Sequence, residues 1–199
     1  CDTDSANDCT PDCSGEWGGT VVVDECGVCG GSGPADGYNC DGSPVEFSWN
    51  QSTVQAFYLF ETVMINGQPV DSVDWVGAFN GDVCVGATQW NVSNCGGGIC
   101  TVPVMGNNGS VYTEGYMFSG EAPSFKIFDK SGEVIYDAIA SEEIATFVNN
   151  NLQFMASLEN AIPGCTDMNA CNYDEAANVD DGTCEYAEEN YDCDENCTA

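Results

Sequence analysis

Asp74-Trp75-Val76-Gly77-Ala78-Phe79-Asn80-Gly81-Asp82-Val83-Cys84-Val85 decides the fold class. Two runs of β-branched and aromatic residues flank an Asn-Gly pair, the strongest short-range signal for a β-hairpin, and the pair predicts a type I′ turn. The same texture extends outward. Candidate strands are Val45–Trp49, Val54–Ile65, Asp74–Phe79, Asp82–Gln89, Ile99–Val104, Tyr112–Phe118, Ser124–Asp129, Val134–Ile139 and Leu152–Leu158, with Asn66-Gly67 and Ser131-Gly132 as further punctuation. Short strands joined by tight turns predict an all-β fold, a jelly-roll-like β-sandwich over residues 43–162. One short helix is expected from Ser141 as N-cap, with Glu142 and Glu143 in its first turn, to about Val148.

Alternation along Val54–Ile65 puts Ala56, Tyr58 and Phe60 on one face and Phe57, Leu59 and Val63 on the other. Both faces being apolar predicts a central strand, or one whose outer face packs on another subunit.

The two ends differ from this middle. Residues 1–42 are rich in Asp, Asn, Gly and Cys, with Val21, Val22, Val23 and Val28 as their aliphatic residues, and residues 163–199 return to that composition after Pro163-Gly164. Such segments bury too little apolar surface to offset their ordering entropy, so disulfides and metal are expected to hold them. The 14 cysteines of the 199-residue chain place it in an oxidising, extracellular compartment. Six fall in residues 1–42, three in the middle and five in the tail. The odd counts require bridges between segments or to a neighbouring chain. No apolar run is long enough to span a bilayer and no signal peptide precedes Cys1, so a processed product or one stretch of a longer secreted polypeptide is expected.

The formal charge is -31, from 33 acids against Lys126 and Lys130, with no histidine. Nothing in the chain neutralises phosphates, which excludes nucleic acid, and an anionic membrane is disfavoured for the same reason. Without His or Arg, triads and phosphoryl transfer are out, and the sandwich offers no obvious carboxylate pair for glycoside hydrolysis, so no enzyme is expected. Self-repulsion of this size calls for cations among the carboxylates, and Ca2+ is the simplest. Short loops alternating Asp and Asn with small residues supply its hard oxygens. The candidate ligands are Asp2, Asp4, Asn7, Asp8 and Asp12; Asp167, Asn169, Asn172, Asp174, Asn178, Asp180 and Asp181; Asp192, Asp194 and Asn196; and, more weakly patterned, Asp36, Asn39 and Asp41. The competing reading is a set of solvated acidic loops.

These residues carry a resemblance. Gly164-Cys165-Thr166-Asp167, Ala170-Cys171-Asn172-Tyr173 and Asp180-Asp181-Gly182-Thr183-Cys184 resemble a cysteine-bearing repeat of very large secreted proteins of aquatic bacteria. Asp24-Glu25-Cys26-Gly27-Val28-Cys29-Gly30-Gly31 resembles its companion repeat, similar in style to thrombospondin type 3 calcium repeats. Trp17 stands where that repeat usually has a second cysteine. Asp74–Phe79, Gly81-Asp82, Gly86-Ala87 and Phe125–Asp129 are similar to a β-sandwich domain of the same proteins. The resemblance implies adhesive, surface or fibre-forming roles, and a pairing of Cys165 with Cys184 and of Cys171 with Cys193. Cys95 and Cys100 are close enough in sequence to close a small ring, and Cys84 then needs a partner elsewhere or stays buried and free. Cys26-Gly27-Val28-Cys29 also reads as half a zinc site or a redox pair, but there is no histidine, and Gly30, Gly31 and Gly33 forbid the helix a redox pair opens.

The function expected is that of an extracellular structural subunit, its copies joined head to tail through calcium and disulfide connectors, or one link of a multidomain stalk. A carbohydrate-binding or adhesion module is the rival, with Trp49, Trp75, Trp90, Tyr112 and Tyr116 as stacking candidates and glycans as partners. Candidate glycosylation sites are the sequon residues Asn50, Asn91 and Asn108, with Asn196 heading a fourth sequon, and Ser5 and Ser72 in Asp-Ser-small triplets.

Overall fold

Ten short strands lie among the described residues: β1 (Gln55–Ile65), β2 (Gln68–Pro69), β3 (Trp75–Asn80), β4 (Val83–Gln89), β5 (Cys100–Met105), β6 (Ser124–Asp129), β7 (Val134–Ala140), β8 (Leu152–Asn160), β9 (Pro163–Gly164) and β10 (Val179–Asp180). The structure, a computed structural model, describes residues 10–194 and 196. It divides into two compact units, Cys1–Ser48 and Trp49–Ala199.

The second unit is all-β. Strands β1 to β8 form one mixed sheet in the order β2-β1-β8-β7-β6-β3-β4, with β5 also on β1. The sheet curls until its halves face each other. Tyr58 and Phe60 of β1 meet Phe125 of β6 with ring centroids 5.5 and 5.1 Å apart, and Phe60 meets Trp90 at 6.4 Å. Strand β7 makes the corner. Its residues Val134–Ala138 pair with β6, whereas Ala138–Ala140 pair with β8, the strand-switching device that lets one sheet act as two layers. The core is filled by Val76, Ala78, Val85, Val102, Val104, Ile127, Met155 and Leu158 around those rings.

Most predicted strands of the middle are present, and the differences have local causes. In the β3–β4 hairpin, Asn80 pairs with Val83, so Gly81 and Asp82 are the turn residues. Gly81 has φ 58° while Asp82 is not left-handed, which makes the turn type II′ rather than I′. The I′ turn occurs instead at Asn66 (φ 51°) and Gly67 (φ 71°), between Ile65 and Gln68. Val45–Phe47 and Val111–Thr113 form 3-10 turns where strands were expected. The helix expected from Ser141 is not formed. Ser141 does not cap; its N–H donates to Ser157 O (3.1 Å), its hydroxyl accepts from Ser157 N (3.2 Å), and Glu142 accepts from Ala156 N (2.8 Å). The segment is spent on the edge of β8. On β1, Glu61 and Thr62 are both exposed and Val63 is 2 % exposed in the core, so the alternation slips by one residue there and Val63 joins Tyr58 and Phe60 rather than Phe57 and Leu59.

Residues 163–194 belong to the second unit. Asn178 ties them to the sheet: its amide donates to Asn160 O (2.9 Å) and its carbonyl accepts from Ile162 N (2.7 Å). Beside them β9 and β10 pair in parallel. Among the described residues no helix is long and apolar enough to cross a membrane.

Candidate functional site

The first unit is organised by one turn used repeatedly. In Asp12-Cys13-Ser14-Gly15-Glu16 the Asp12 N–H donates to Glu16 O (3.0 Å); in Asp24-Glu25-Cys26-Gly27-Val28 the Asp24 N–H donates to Val28 O (2.9 Å); in Asn39-Cys40-Asp41-Gly42-Ser43 the Asn39 N–H donates to Ser43 O (2.8 Å). The fourth residue must be left-handed, and glycine supplies φ values of 87°, 78° and 84°.

The leading aspartate locks each of the first two turns. Asp12 Oδ1 accepts from Ser14 N (2.9 Å), Ser14 Oγ (2.6 Å) and Glu16 N (3.1 Å), and its Oδ2 accepts from Val21 N (3.1 Å). Asp24 Oδ1 accepts from Cys26 N (3.0 Å) and Val28 N (2.8 Å), and its Oδ2 from Gly33 N (2.8 Å). Each carboxylate therefore clasps its own turn and reaches nine residues on. The approach is close enough that a Cβ at Gly19 or Gly31 would collide with Oδ2 of Asp12 or Asp24 respectively. Disulfides join consecutive turns, Cys13 to Cys29 and Cys26 to Cys40. Cys26 and Cys29 are therefore neither a redox pair nor half of a zinc site. Asp24, absent from the predicted ligands, is as central as Asp12; the twelve-residue spacing of Asp12 and Asp24, each three residues before a glycine, was the available signal.

The same turn returns in the tail. Asp192 N donates to Asn196 O (2.9 Å), and Asp192 Oδ1 accepts from Asp194 N (3.0 Å) and Asn196 N (2.8 Å). Upstream, Asp167 accepts from Asn169 N (2.9 Å) and Tyr186 OH (2.8 Å), Asp174 from Ala176 N (2.9 Å), Asp180 from Gly182 N (3.0 Å) and Asp181 from Thr183 N (3.0 Å). Asn172 pins the two arms of the loop, donating to Thr183 O (2.7 Å) and accepting from Glu185 N (2.8 Å). The bridges Cys165–Cys184 and Cys171–Cys193 staple this segment, and Cys95–Cys100 closes the ring on the sheet unit. Cys84 is a buried thiol whose pKa burial pushes up to about 11. Such a chain belongs to an oxidising compartment.

These bonds test the fit of Ca2+. Asp12 Oδ1 is taken by three donors and its Oδ2 by Val21 N, so an ion there competes with the hydrogen bonds of the turn itself. Among the described residues, open oxygens remain on Asp36 and Asp194, for which no hydrogen bond from those residues is found, and on Oδ2 of Asp41, Asp174, Asp180 and Asp181, whose bonds are made by Oδ1. Asn39 spends its oxygen on Ser48 Oγ (3.1 Å). Among the described residues no three acidic, Cys or His side chains converge as around an ion. Asp2, Asp4, Ser5, Asn7 and Asp8 lie outside the described residues.

Four of the glycan candidates, Asn50, Ser72, Asn91 and Asn108, lie on the sheet unit. Ser72 is exposed. Asn91 and Asn108 each accept from the serine two residues on, Ser93 N (3.1 Å) and Ser110 N (3.0 Å), and the Asn50 amide donates to Tyr112 O (3.4 Å). Trp90 and Tyr116 are each 3 % exposed and so are core residues rather than sugar-stacking platforms.

Acid should open the clasps. Hydrogen bonds hold the carboxyls of Asp12 (chiefly from the Ser14 hydroxyl), Asp24 (from Val28 N), Asp167 and Asp192 below their ordinary value of 3.8. A folded-state pKa below the unfolded one contributes stability that is present above about 3.8 and lost as pH falls through the lowered value. Asp74 runs the other way: burial pushes it up, so its contribution is full below 3.8 and fades as pH rises through the raised value. NMR titration from neutral pH downward is expected to lose the shifts of Cys26, Val28 and Gly33 amides while the amides of β3 and β6 keep theirs. Simultaneous loss of both sets would contradict this.

Set against models of protein families, curated proteins and solved structures, the chain matches none of them.

Proposed function

We propose that this chain is an extracellular structural subunit whose copies follow one another in series, head to tail, with the cysteine-rich segments of one and the next forming a calcium-bearing, disulfide-linked connector. The observation that carries the reading is the recurrence of one turn at both ends: the hydrogen bonds of Asp192 repeat those of Asp12 and Asp24. One clasp recurring before and after the sheet unit in sequence is consistent with modules that repeat in series. Charge supports a cation at the joints. With two lysines for 33 acids, Lys126 pairing with Asp137 at 3.0 Å, most of the acids have no lysine to meet, and the open oxygens of Asp36, Asp174, Asp180, Asp181 and Asp194 are of the hard type that Ca2+ takes. Calcium would lower the repulsion where two acidic segments meet.

The test is electron microscopy of the native assembly with calcium and after chelation. Filaments that dissolve in chelator and re-form with Ca2+, but not with Na+ at equal ionic strength, are expected. Particles that stay monomeric at saturating calcium would overturn the reading.

A further inference from the structure

Ten of the 14 cysteines are spent in five bridges, Cys13–Cys29, Cys26–Cys40, Cys95–Cys100, Cys165–Cys184 and Cys171–Cys193. An eleventh, Cys84, is free and 5 % exposed inside the sheet unit, with its Sγ 3.6 Å from Gly86 O. A disulfide needs its two Cα atoms within about 7 Å, so a thiol enclosed on β4 is beyond the reach of a second molecule. Three cysteines remain, Cys1, Cys9 and Cys197, all outside the described residues. Three is an odd number. One bond at most forms among them, so at least one of these sulfurs has no partner within the 199 residues.

The same count constrains any assembly of identical copies. A bridge within the chain uses two cysteines per copy. A head-to-tail joint also uses two, one given to the copy behind and one to the copy ahead. Neither exhausts three. The bond that takes a single cysteine per copy is the one between a residue and its own counterpart, which is isologous and closes at two. A thiol left over is disfavoured by the compartment, because where disulfides persist an accessible thiol is drawn into exchange.

We propose that one of Cys1, Cys9 and Cys197 is bonded to the same residue of a second copy, so that the chain exists as a covalent pair. The pairing goes beyond the serial joint and does not depend on it, since the parity is the same whether the other two cysteines bridge within the chain or along an array. In forming the bond the two thiols give up two protons and two electrons. A disulfide oxidant, whose own S–S bond breaks, takes both and leaves as two thiols. Repulsion between two acidic chains slows their encounter but does not undo a covalent link.

Peptide mapping of the native protein tests this. Free thiols are blocked with iodoacetamide in denaturant, the protein is cut by pepsin at low pH, where too little thiolate is present for exchange, and the unreduced peptides are weighed. A cystine peptide whose two halves carry the same cysteine, Cys1, Cys9 or Cys197, is expected, with Cys84 as the alkylated residue. Non-reducing electrophoresis should show the chain at twice its mass or above, and dithiothreitol should return it to a single chain. The three sulfurs accounted for without a like-to-like bridge, whether by alkylation, by a small capping thiol, by a peptide of foreign sequence or by Cys84, overturn the proposal. The serial reading answers to a different observation: a ladder beyond two chains is its mark, and a pair without a ladder would overturn only its disulfide link.

Discussion

Reduction by dithiothreitol at neutral pH should unfold residues 10–48 and leave the sheet unit standing. Among the described residues of the first unit Phe47 is buried, but Trp17 is 67 % exposed, Val22 74 %, Val23 52 % and Val28 56 %. The described residues add exposed aspartate clasps and two bridges, Cys13–Cys29 and Cys26–Cys40, closing loops of 16 and 14 residues. Each is worth about 3 kcal/mol in chain entropy, a large share of what a segment with so little apolar burial has to set against its ordering cost. Hydrogen exchange reads the outcome. The amides of Cys26, Val28 and Gly33, which donate to Asp24, should pass from protected to freely exchanging, while the amides of β1 and β6 keep their protection. If the three clasped amides stay protected after complete reduction in chelator, neither sulfur nor metal holds this unit.

Gly86→Ala is expected to be the most damaging single methyl in the sheet unit. Strands β4 and β5 lie at the two open edges of the curled sheet and meet without a backbone ladder; Pro103 lacks the N–H that a ladder needs. They close instead by contact, with Thr88 Oγ1 donating to Thr101 O (2.9 Å) and Gly86 pressed against the Pro103 carbonyl. A Cβ on Gly86 would lie 2.7 Å from Pro103 C and closer still to its oxygen, both backbone atoms that cannot swing away. The seam must part, with an overpacking cost of about 3 kcal/mol. Gly96→Ala is the control, because a Cβ there meets open space, and about 0.5 kcal/mol or less is expected. Urea unfolding followed by the fluorescence of buried Trp90 compares the two, and equal midpoints would show that the seam does not hold the sheet closed.

Much of the protein was legible from residues alone, because the signals were local. Period-two runs in Val54–Ile65, Ser124–Asp129 and Val134–Ile139 become strands since an apolar face must be buried whatever its partner. The cysteine-rich ends announce themselves by lacking such faces. The errors share a cause. Ser141 reads as a helix cap until Ser157 of β8 offers a better partner, and Val63 reads as outward until the slip at Glu61 and Thr62 turns it into the core. Asp12 is a case of ambiguity rather than error, since alternating acids look the same whether their oxygens meet an ion or their own backbone.

By itself, then, the sequence determined the all-β class, the polar and cysteine-rich character of both ends and the oxidising compartment, for these follow from composition and from side-chain period. Only the tertiary structure decided that one sheet curls into both layers, that Gly86 and Pro103 close it, that the clasps of Asp12, Asp24 and Asp192 are a single device, and that Phe57, Leu59, Leu152 and Phe154 share one uncharged face. The curl, the seam and the shared face depend on residues far apart in sequence meeting through strand register, whereas the clasps are local and needed the structure because spacing does not say what an aspartate oxygen meets.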